Sequence, residues 1–577
     1  MLDRPTEAER ESVDDLLGPA DAFNGRVAYG GHAARARRHL LLPALHAVQD
    51  ASGAVSRGAL AYICDRLTIP PAEAYGVATF YALFDVGGSG GTTIHVCDDI
   101  VCAQYGAEDL CSQLDAAGTA YHRSPCLGQC DRAPAAMFHR PGTGYGNAAP
   151  VTGRSVDTPT FEELPPGLIH QDRADLTLLR RIDVVDPTSI ESYIGAGGFQ
   201  ALRKAREMGA AAVIDELKES NLRGRGGAAF PIGIKWEGVA NEAGPDKYVI
   251  ANGDESEPGT FKDRLLMEGD PFAVVEAMAL YGFATGATHG YIYVRGEYPT
   301  AERRLISAIE QTATAGFLDE SFPLEVRRGA GAYICGEETA LFASIEGHRG
   351  EPRQKPPFPV QSGVFGKPTG INNIETLLAA LEVIRIGGGA FAAIGTEQSA
   401  GPKLFCVSGA VAKPGVYEVA FGATLGELLD LAGGVRDGKG LGAVLMGGAA
   451  GVFADTSALE VPLTFEGTRA AGITLGSGSI IFFDDQTDFG PVLRRIAQFF
   501  RDESCGQCVP CRIGTVRQEE ALARLAAGRP LGSVEEEKTR LSDLALVMTD
   551  ASICGLGQTA ASAVQSAMRL GLNGVPA

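Results

Sequence analysis

Three cysteines spaced two residues apart, Cys505, Cys508 and Cys511, stand near the C-terminal end of the chain, and a fourth, Cys554, follows well downstream. Four thiolates in this pattern dictate a local fold: the close triple wraps one side of a compact inorganic centre and the distant cysteine returns to close it. Soft thiolate ligands suit iron. Zinc sites usually pair two short cysteine knuckles instead of using a triple, so the spacing points to a [4Fe–4S] cluster. Gly506 and Pro510 fit a tight ligand loop, and Gly555 and Gly557 allow close backbone approach beside Cys554. A second set, Cys97 and Cys102 with Cys126 and Cys130, consists of two separated pairs. Pairs suit a [2Fe–2S] rhomb with one pair on each iron, but they also suit zinc, and the spacing leaves both open. Cys64, Cys111, Cys335 and Cys406 have no partners at ligand spacing and read as small buried apolar side chains.

A chain of 577 residues is too long for one hydrophobic core, so several domains are expected. Its 50 basic and 71 acidic residues give a net charge of -21, which argues against nucleic acid or an anionic membrane as partner. The start, Met1 to Arg4 running into Asp14 and Asp15, lacks a basic stretch followed by an apolar one. No apolar run approaches the length of a membrane span. Cytoplasmic residence without membrane insertion is therefore expected, and the cysteines read as metal ligands and buried thiols more than disulfides.

Residues 33–86 read as helical, with one apolar stripe through His39–Leu42, Leu45 and Val48 and another through Leu60, Ile63 and Leu67. After a glycine-rich break at 87–91, Thr92–Val96 reads as a strand ending at Cys97, opening a small α/β unit that runs to about 139. A Gly/Pro/Thr-rich stretch, 141–166, reads as a linker. From 170 to 395 helices alternate with strands such as Tyr248–Ala251 and Tyr291–Val294, the pattern of a layered α/β domain. Leu404–Gly409 opens a compact strand-rich unit that ends near Ile480–Phe483, and the remainder is mostly helical.

Arg223–Phe230 contains a G-x-G-x-x-A match, which alone is weak. It follows a helix-like stretch, Val213–Lys218, where a dinucleotide fingerprint requires a strand, so the usual fingerprint is rejected. Such a loop can still present N–H groups to a phosphate or flavin, with Arg225 and Lys235 adding positive charge. The strand Tyr248–Ala251 runs into Asn252–Thr260, whose carboxylates Asp254, Glu255 and Glu257 suit magnesium, ribose hydroxyls or plain solvation. Gly329–Glu338 adds an acidic turn ending in Glu337 and Glu338, which also suits a helix N-terminus. Asn372 and Asn373 offer amides for a flavin edge or a turn.

Taken together, Arg223–Phe230 with Lys235-Trp236, Asn252–Lys262, Gly329–Glu338, Lys355–Pro359, Gly366–Thr376, Glu503–Arg512 and Ser552–Gly557 closely resemble the NADH-binding flavoprotein subunit of respiratory complex I and its relatives, over roughly residues 170–577. Cys97, Cys102 and Pro125–Cys130 resemble the thioredoxin-like [2Fe–2S] subunit of the same enzymes, here fused into one chain. The resemblance implies a multidomain α/β and α+β architecture. Residues 1–88 form an N-terminal helical segment and 89–166 a thioredoxin-like [2Fe–2S] domain. Residues 167–398 form a Rossmann-like domain for FMN and NAD(H), 399–487 a ubiquitin-like domain, and 488–577 a helical bundle with the [4Fe–4S] cluster. It implies FMN held by Gly224, Arg225, Gly226, Lys235, Asn252, Asp254, Asn372, Asn373 and Thr376. It implies NAD(H) stacked there with help from Phe230, Phe358, Glu257, Glu337 and Glu338. Three positions depart from the family pattern: Ala229 replaces a usual Gly, Ser256 interrupts Asp-Glu-Gly-Glu, and Gly238 stands where an aromatic is common, which puts one side of the adenine pocket in doubt.

The implied chemistry is hydride exchange with NAD(H) at a flavin, then single-electron transfer through iron–sulfur centres, with no side chain needed as general acid or base. The sequence offers no second substrate site, so a diaphorase part of a larger complex is expected. Fusion of these two modules is similar to the diaphorase (beta) subunits of NAD-linked formate dehydrogenases, whose partner is a molybdenum- or tungsten-containing iron–sulfur catalytic subunit. Diaphorase subunits of NAD-reducing [NiFe]-hydrogenases and complex I-like modules are the alternatives, and a non-catalytic electron-relay scaffold is the alternative of another class.

Overall fold

The computed structural model describes residues 4–18, 36–88, 90–151, 167, 169–172, 174, 176–318 and 320–572. Apolar residues three and four apart build the first layer. The helices Glu7–Leu17, Leu41–Ser52, Arg57–Leu67 and Pro71–Ala78 turn Leu41, Leu42, Leu45 and Val48, and Leu60, Ile63 and Leu67, inward. Thr6 and Glu9 close a capping box at the first of them.

Four strands then form a sheet in the order β2-β1-β3-β4: β1 (Thr93–Cys97), β2 (His122–Ser124), β3 (Ala136–Arg140) and β4 (Gly144–Ala148). β1 is parallel to β2 and antiparallel to β3. Helix Ala107–Ala117 packs Leu110, Cys111 and Leu114 with Ile94, Val96 and Phe138 in a local core. β4 corrects the sequence reading of 141–166 as a linker. Its first part pairs with β3 from Ala136↔Ala148 to Arg140↔Gly144, and Gly142, at φ +74, lies in the turn between them. Glycines, which weaken a strand's sequence signal, hide it. Residues 152–166 of the expected linker lie outside the described residues.

The next sheet is wholly parallel, β7-β6-β5-β8, from β5 (Tyr248–Gly253), β6 (His289–Val294), β7 (Leu324–Arg328) and β8 (Thr369–Asn373). Parallel neighbours need crossover connections. Helix Pro271–Thr285 leads from β5 to β6 and helix Pro299–Thr314 from β6 to β7. The former is apolar almost all round and is buried on nearly every side. Because the strands share one direction, their C-terminal ends open along one edge, where such sheets bind ligands. The register Ala251↔Asn372 and Asn252↔Asn373 sets three asparagines side by side at that edge.

A third sheet, β10-β9-β13-β11-β12, comprises β9 (Pro402–Gly409), β10 (Gly415–Ala420), β11 (Leu441–Met446), β12 (Val452–Ala454) and β13 (Ser479–Asp484). Its central β9–β13 pair is parallel and the flanking pairs are antiparallel. Helices Phe489–Asp502, Val509–Ala526, Val534–Ala551 and Ser562–Leu570 complete the chain. Among the described residues no helix is long and apolar enough to cross a membrane.

One large core runs across the units from Val13 to Leu572, beside smaller cores within the strand-rich and the thioredoxin-like units. Buried charges join them as well. Arg264, fully buried, donates to Gln129 and to both carboxylate oxygens of Asp131 at 2.9 and 3.0 Å, and Glu418 of β10 accepts from the N–H groups of Thr177, Leu178 and Leu179.

Candidate functional site

Helix Ala210–Glu219 precedes the glycine loop and helix Ile232–Asn241 follows it, so the loop joins two helices, as the sequence pattern requires. Its base is closed by the Gly224 N–H donating to Phe230 O at 3.0 Å and the Ile232 N–H donating to Leu222 O at 2.9 Å. Gly226 lies on Asn373: a Cβ there would stand 3.1 Å from the asparagine Cβ. The Thr376 hydroxyl accepts the Arg225 N–H at 2.8 Å, tying the loop to the first turn of helix Ile374–Ile386.

The loop walls a cavity of about 610 Å³ over the C-terminal edge of the parallel sheet, a volume in the range of cofactor sites. Gly224, Gly226, Phe230, Lys235, Asn252, Asp254, Glu257, Glu337, Glu338, Asn372, Asn373 and Thr376 all line it. Two predicted residues do not. The sequence reading has Arg225 bring charge, but its side chain is buried away from the cavity, donating to Ala400 O at 2.6 Å and stacking 4.5 Å from the Phe421 ring centroid. The carbonyl and the aromatic face give the guanidinium partners in the seam with the strand-rich unit. Phe358 sits on a turn closed by the Gln361 N–H donating to Phe358 O and is 54% exposed, outside the cavity walls. Gly238 also lies off the cavity, with Val360 Cγ1 3.9 Å from where its Cβ would be.

Each lining group is held by its neighbours. Asn252 donates to Gly336 O at 3.0 Å and accepts the Asp254 N–H at 3.0 Å. Asn372 accepts from the Trp236 indole at 3.0 Å, and that ring stacks on Tyr281 at 4.2 Å. Asn373 caps helix Ile374–Ile386 and donates to Asp263 at 2.6 Å, as a turn residue does, and it also lines the cavity. Lys235 donates to Ile371 O at 3.0 Å, and burial lowers its pKa. Beneath them Lys262, Asp263, Glu375 and Lys403 form a buried ion network.

Glu257 accepts from the Tyr333 hydroxyl at 2.6 Å and the Ala450 N–H at 2.9 Å, and burial pushes its carboxyl up to about 7. Burial likewise holds the Asp254 carboxyl well above its usual range. Glu337 caps helix Glu338–Ile345, accepting from Thr339 and Ala340 N–H, while Lys355 pairs with both Glu337 and Glu338. Two cavity-lining polar atoms, Asp254 Oδ2 and Ser477 Oγ, are buried without a partner. Buried polar atoms are nearly always satisfied, so these orphans fit a polar ligand such as FMN. Nothing in the sequence pattern marks the walls supplied by Gly447, Ala450, Thr474 and Ser477, which are loop residues of the strand-rich unit. Tyr333 lies within the Gly329–Glu338 turn, whose pattern assigns its side chain no role. Gly555 and Leu556, next to Cys554, also line the cavity.

Cys97, Cys102, Cys126 and Cys130 are all buried: Cys97 ends β1, Cys102 lies in the short helix Ile100–Gln104, and Cys126 and Cys130 follow β2. Cys126 and Cys130 sulfurs are 3.3 Å apart, and that contact pushes the Cys126 thiol down and the Cys130 thiol up. Cys505, Cys508, Cys511 and Cys554 line one small cavity with Ile334, Pro352 and Ile553, and burial pushes Cys511 up to about 12 and Cys554 up to about 11. Among the described residues no three His, Cys, Asp or Glu side chains are arranged to hold a single metal ion. Four soft thiols are the donors an iron–sulfur cluster takes; Cys505, Cys508, Cys511 and Cys554 share one space, and Cys97, Cys102, Cys126 and Cys130 offer the same donor set, all buried. Cys64, Cys111, Cys335 and Cys406 are buried. Cys111 is part of a local core, and Cys406 accepts the Phe261 N–H.

Four family models match the chain: a Nuo51 FMN-binding domain over residues 217–382, an NADH-ubiquinone oxidoreductase-F iron-sulfur binding region over 491–570, a thioredoxin-like [2Fe-2S] ferredoxin over 30–152 and an SLBB domain over 404–447. The chain is 43% identical over 402 residues to the F 2 subunit of NADH-quinone oxidoreductase of Rhizobium meliloti (strain 1021), covering 68% of this chain and 94% of that protein. It is 42% identical over 397 residues to the HndC subunit of the NADP-reducing hydrogenase of Solidesulfovibrio fructosivorans, covering 67% and 80%. Over nearly its whole length it is similar to a chain of an NAD+-reducing [NiFe]-hydrogenase in the H2-reduced state, with TM-score 0.81, 32% identity and coverage of 92% and 91%.

Proposed function

We propose, from the premise that this chain belongs to the family of NADH-quinone oxidoreductase F subunits, with its FMN, [4Fe–4S] and [2Fe–2S] domains, that it is the diaphorase subunit of a formate dehydrogenase. When bound, FMN supplies the one chemistry that accepts a hydride from NADH and passes electrons singly to clusters, or runs in reverse. What carries the reading is a single cavity walled at once by the glycine loop, the asparagine edge of the sheet and the turn beside the cluster cysteine Cys554. That arrangement puts a hydride-exchange site next to a one-electron acceptor site.

In this reading Gly224, Arg225 through its backbone, and Gly226 would hold part of the FMN. Lys235, Asn252, Asp254, Asn372, Asn373 and Thr376 hold the rest of the cofactor. Phe230, Glu257, Glu337 and Glu338 would bind NAD(H) from within the cavity, with Phe358 assisting from outside its walls. Cys505, Cys508, Cys511 and Cys554 hold the [4Fe–4S] cluster, and Cys97, Cys102, Cys126 and Cys130 the [2Fe–2S]. These side chains position and desolvate, and the hydride chemistry needs none of them as general acid or base. The functional units are 1–88, 89–166, 167–398, 399–487 and 488–577.

A molybdenum- or tungsten-containing iron–sulfur catalytic subunit is the proposed partner, since the fused two-module layout resembles the beta subunits of such enzymes. The full-length similarity to the NAD+-reducing [NiFe]-hydrogenase chain favours a second reading, a hydrogenase diaphorase. Metal analysis of the complex purified through this chain separates them. Molybdenum or tungsten supports the first reading, and nickel overturns it. NADH should bleach the flavin of the isolated chain and drive an artificial acceptor; bound FMN that NADH leaves oxidised would instead mark a relay scaffold.

A further inference from the structure

Arg295 follows β6 directly and is 3% exposed. Its guanidinium donates to Glu297 Oε1 and Oε2 at 2.9 and 3.1 Å, to the Glu255 carbonyl at 2.7 Å and to the Cys126 carbonyl at 2.7 Å. The Tyr298 ring lies 5.1 Å from its centre. On that ring rests Gly128, the middle of the cysteine loop, so close that a Cβ there would stand 2.2 Å from the tyrosine oxygen. Cys126 is gripped from its other side too, because its N–H donates to the Asp99 carboxylate at 3.0 Å. One cysteine therefore has a carboxylate on its N–H and a buried cation on its carbonyl. The same cation reaches the carbonyl of Glu255 in the acidic loop of the flavin cavity.

A guanidinium is always charged, and in a low-dielectric interior its field reaches the adjacent cluster site with little screening. Reduction of a cluster adds one electron and makes or breaks no bond, so a cation beside it favours the reduced form and a paired carboxylate offsets that effect. We propose that Arg295 is a positioning residue that raises the reduction potential of the cluster held by Cys97, Cys102, Cys126 and Cys130, with Glu297 opposing it. The electron comes from the flavin site, and the inference rests on the [2Fe–2S] reading above.

The test is an EPR-monitored redox titration of the cluster-loaded full chain, with the [4Fe–4S] signal as internal reference. Arg295→Gln should lower the [2Fe–2S] midpoint by about tenfold in the reduction equilibrium, which is about 59 mV for a one-electron couple. Glu297→Gln should raise it, and Arg295→Lys, which keeps the charge, should restore most of the loss. A purely structural role predicts no opposite signs. Should Arg295→Gln fail to retain the cluster, Glu297→Gln decides alone, and a midpoint that stays put or falls overturns the proposal. A parent chain without any [2Fe–2S] signal overturns the cluster reading, and this inference with it. A normal signal whose midpoint ignores both variants overturns only the role of Arg295.

Discussion

Glu257 shows how one carboxyl records its surroundings. Its ordinary pKa is 4.5, and burial lifts it to about 7 despite the Tyr333 and Ala450 hydrogen bonds. Between those values the folded chain holds a proton that the unfolded chain has released, so stability falls as pH rises. The contribution is full below about pH 4.5 and is lost as pH passes about 7. In thermal unfolding of the cofactor-free chain from about pH 5 to about pH 8, Glu257→Gln should flatten part of the decline; an unaltered slope would assign the effect elsewhere. Removing the donor instead, Tyr333→Phe, leaves a buried carboxylate lone pair unmet and should cost about 1–3 kcal/mol by denaturant unfolding. Cys554→Ser should abolish the [4Fe–4S] EPR signal while NADH still bleaches the flavin. At this scale the sequence is most informative for cysteines, whose spacing carries their chemistry. It misplaces Arg225, because a glycine loop fixes where a backbone goes but not which side a long side chain takes.

Elements here are held by short-range devices that a sequence displays and by close approaches that it does not. Helix Val534–Ala551 opens with a capping box, Ser533 with Glu536, in an exposed setting. Ser533→Ala should cost about 1 kcal/mol of stability, seen as a lower denaturation midpoint. Gly128 is of the other kind. At φ +66, with the Tyr298 ring against it, an alanine would both strain the backbone and collide, so Gly128→Ala should unseat the cysteine loop and reduce bound [2Fe–2S] iron and sulfide per chain. Nothing near Gly128 in the sequence announces Tyr298. β4 is hidden for a related reason: its glycines look like turn residues, and only its ladder with β3 makes it a strand. The parallel strands β5 and β6 are legible, because their apolar runs are set by burial on both faces.

The whole molecule behaves as one welded body more than as separate modules, since a shared core and buried ion pairs cross its seams. Asp131→Ala would strand the Arg264 guanidinium, which is fully buried. Breaking such a pair costs about 3–5 kcal/mol, and calorimetry should then resolve an early transition for the thioredoxin-like unit; a single unshifted transition would contradict the weld. The cofactor set can be read from the family resemblance that the motifs carry. The cavity cannot, because its walls run from Gly224 to Thr559 and include loops of the strand-rich unit that carry no motif. That reach has a consequence for how the protein is made. Domains generally fold as they leave the ribosome, N-terminal part first, yet this pocket is incomplete until Thr559, in a chain of 577 residues, has been translated. The pocket therefore closes only after its last wall has been made, and a nascent chain stalled before residue 554 would have a glycine loop and an asparagine edge with one wall missing.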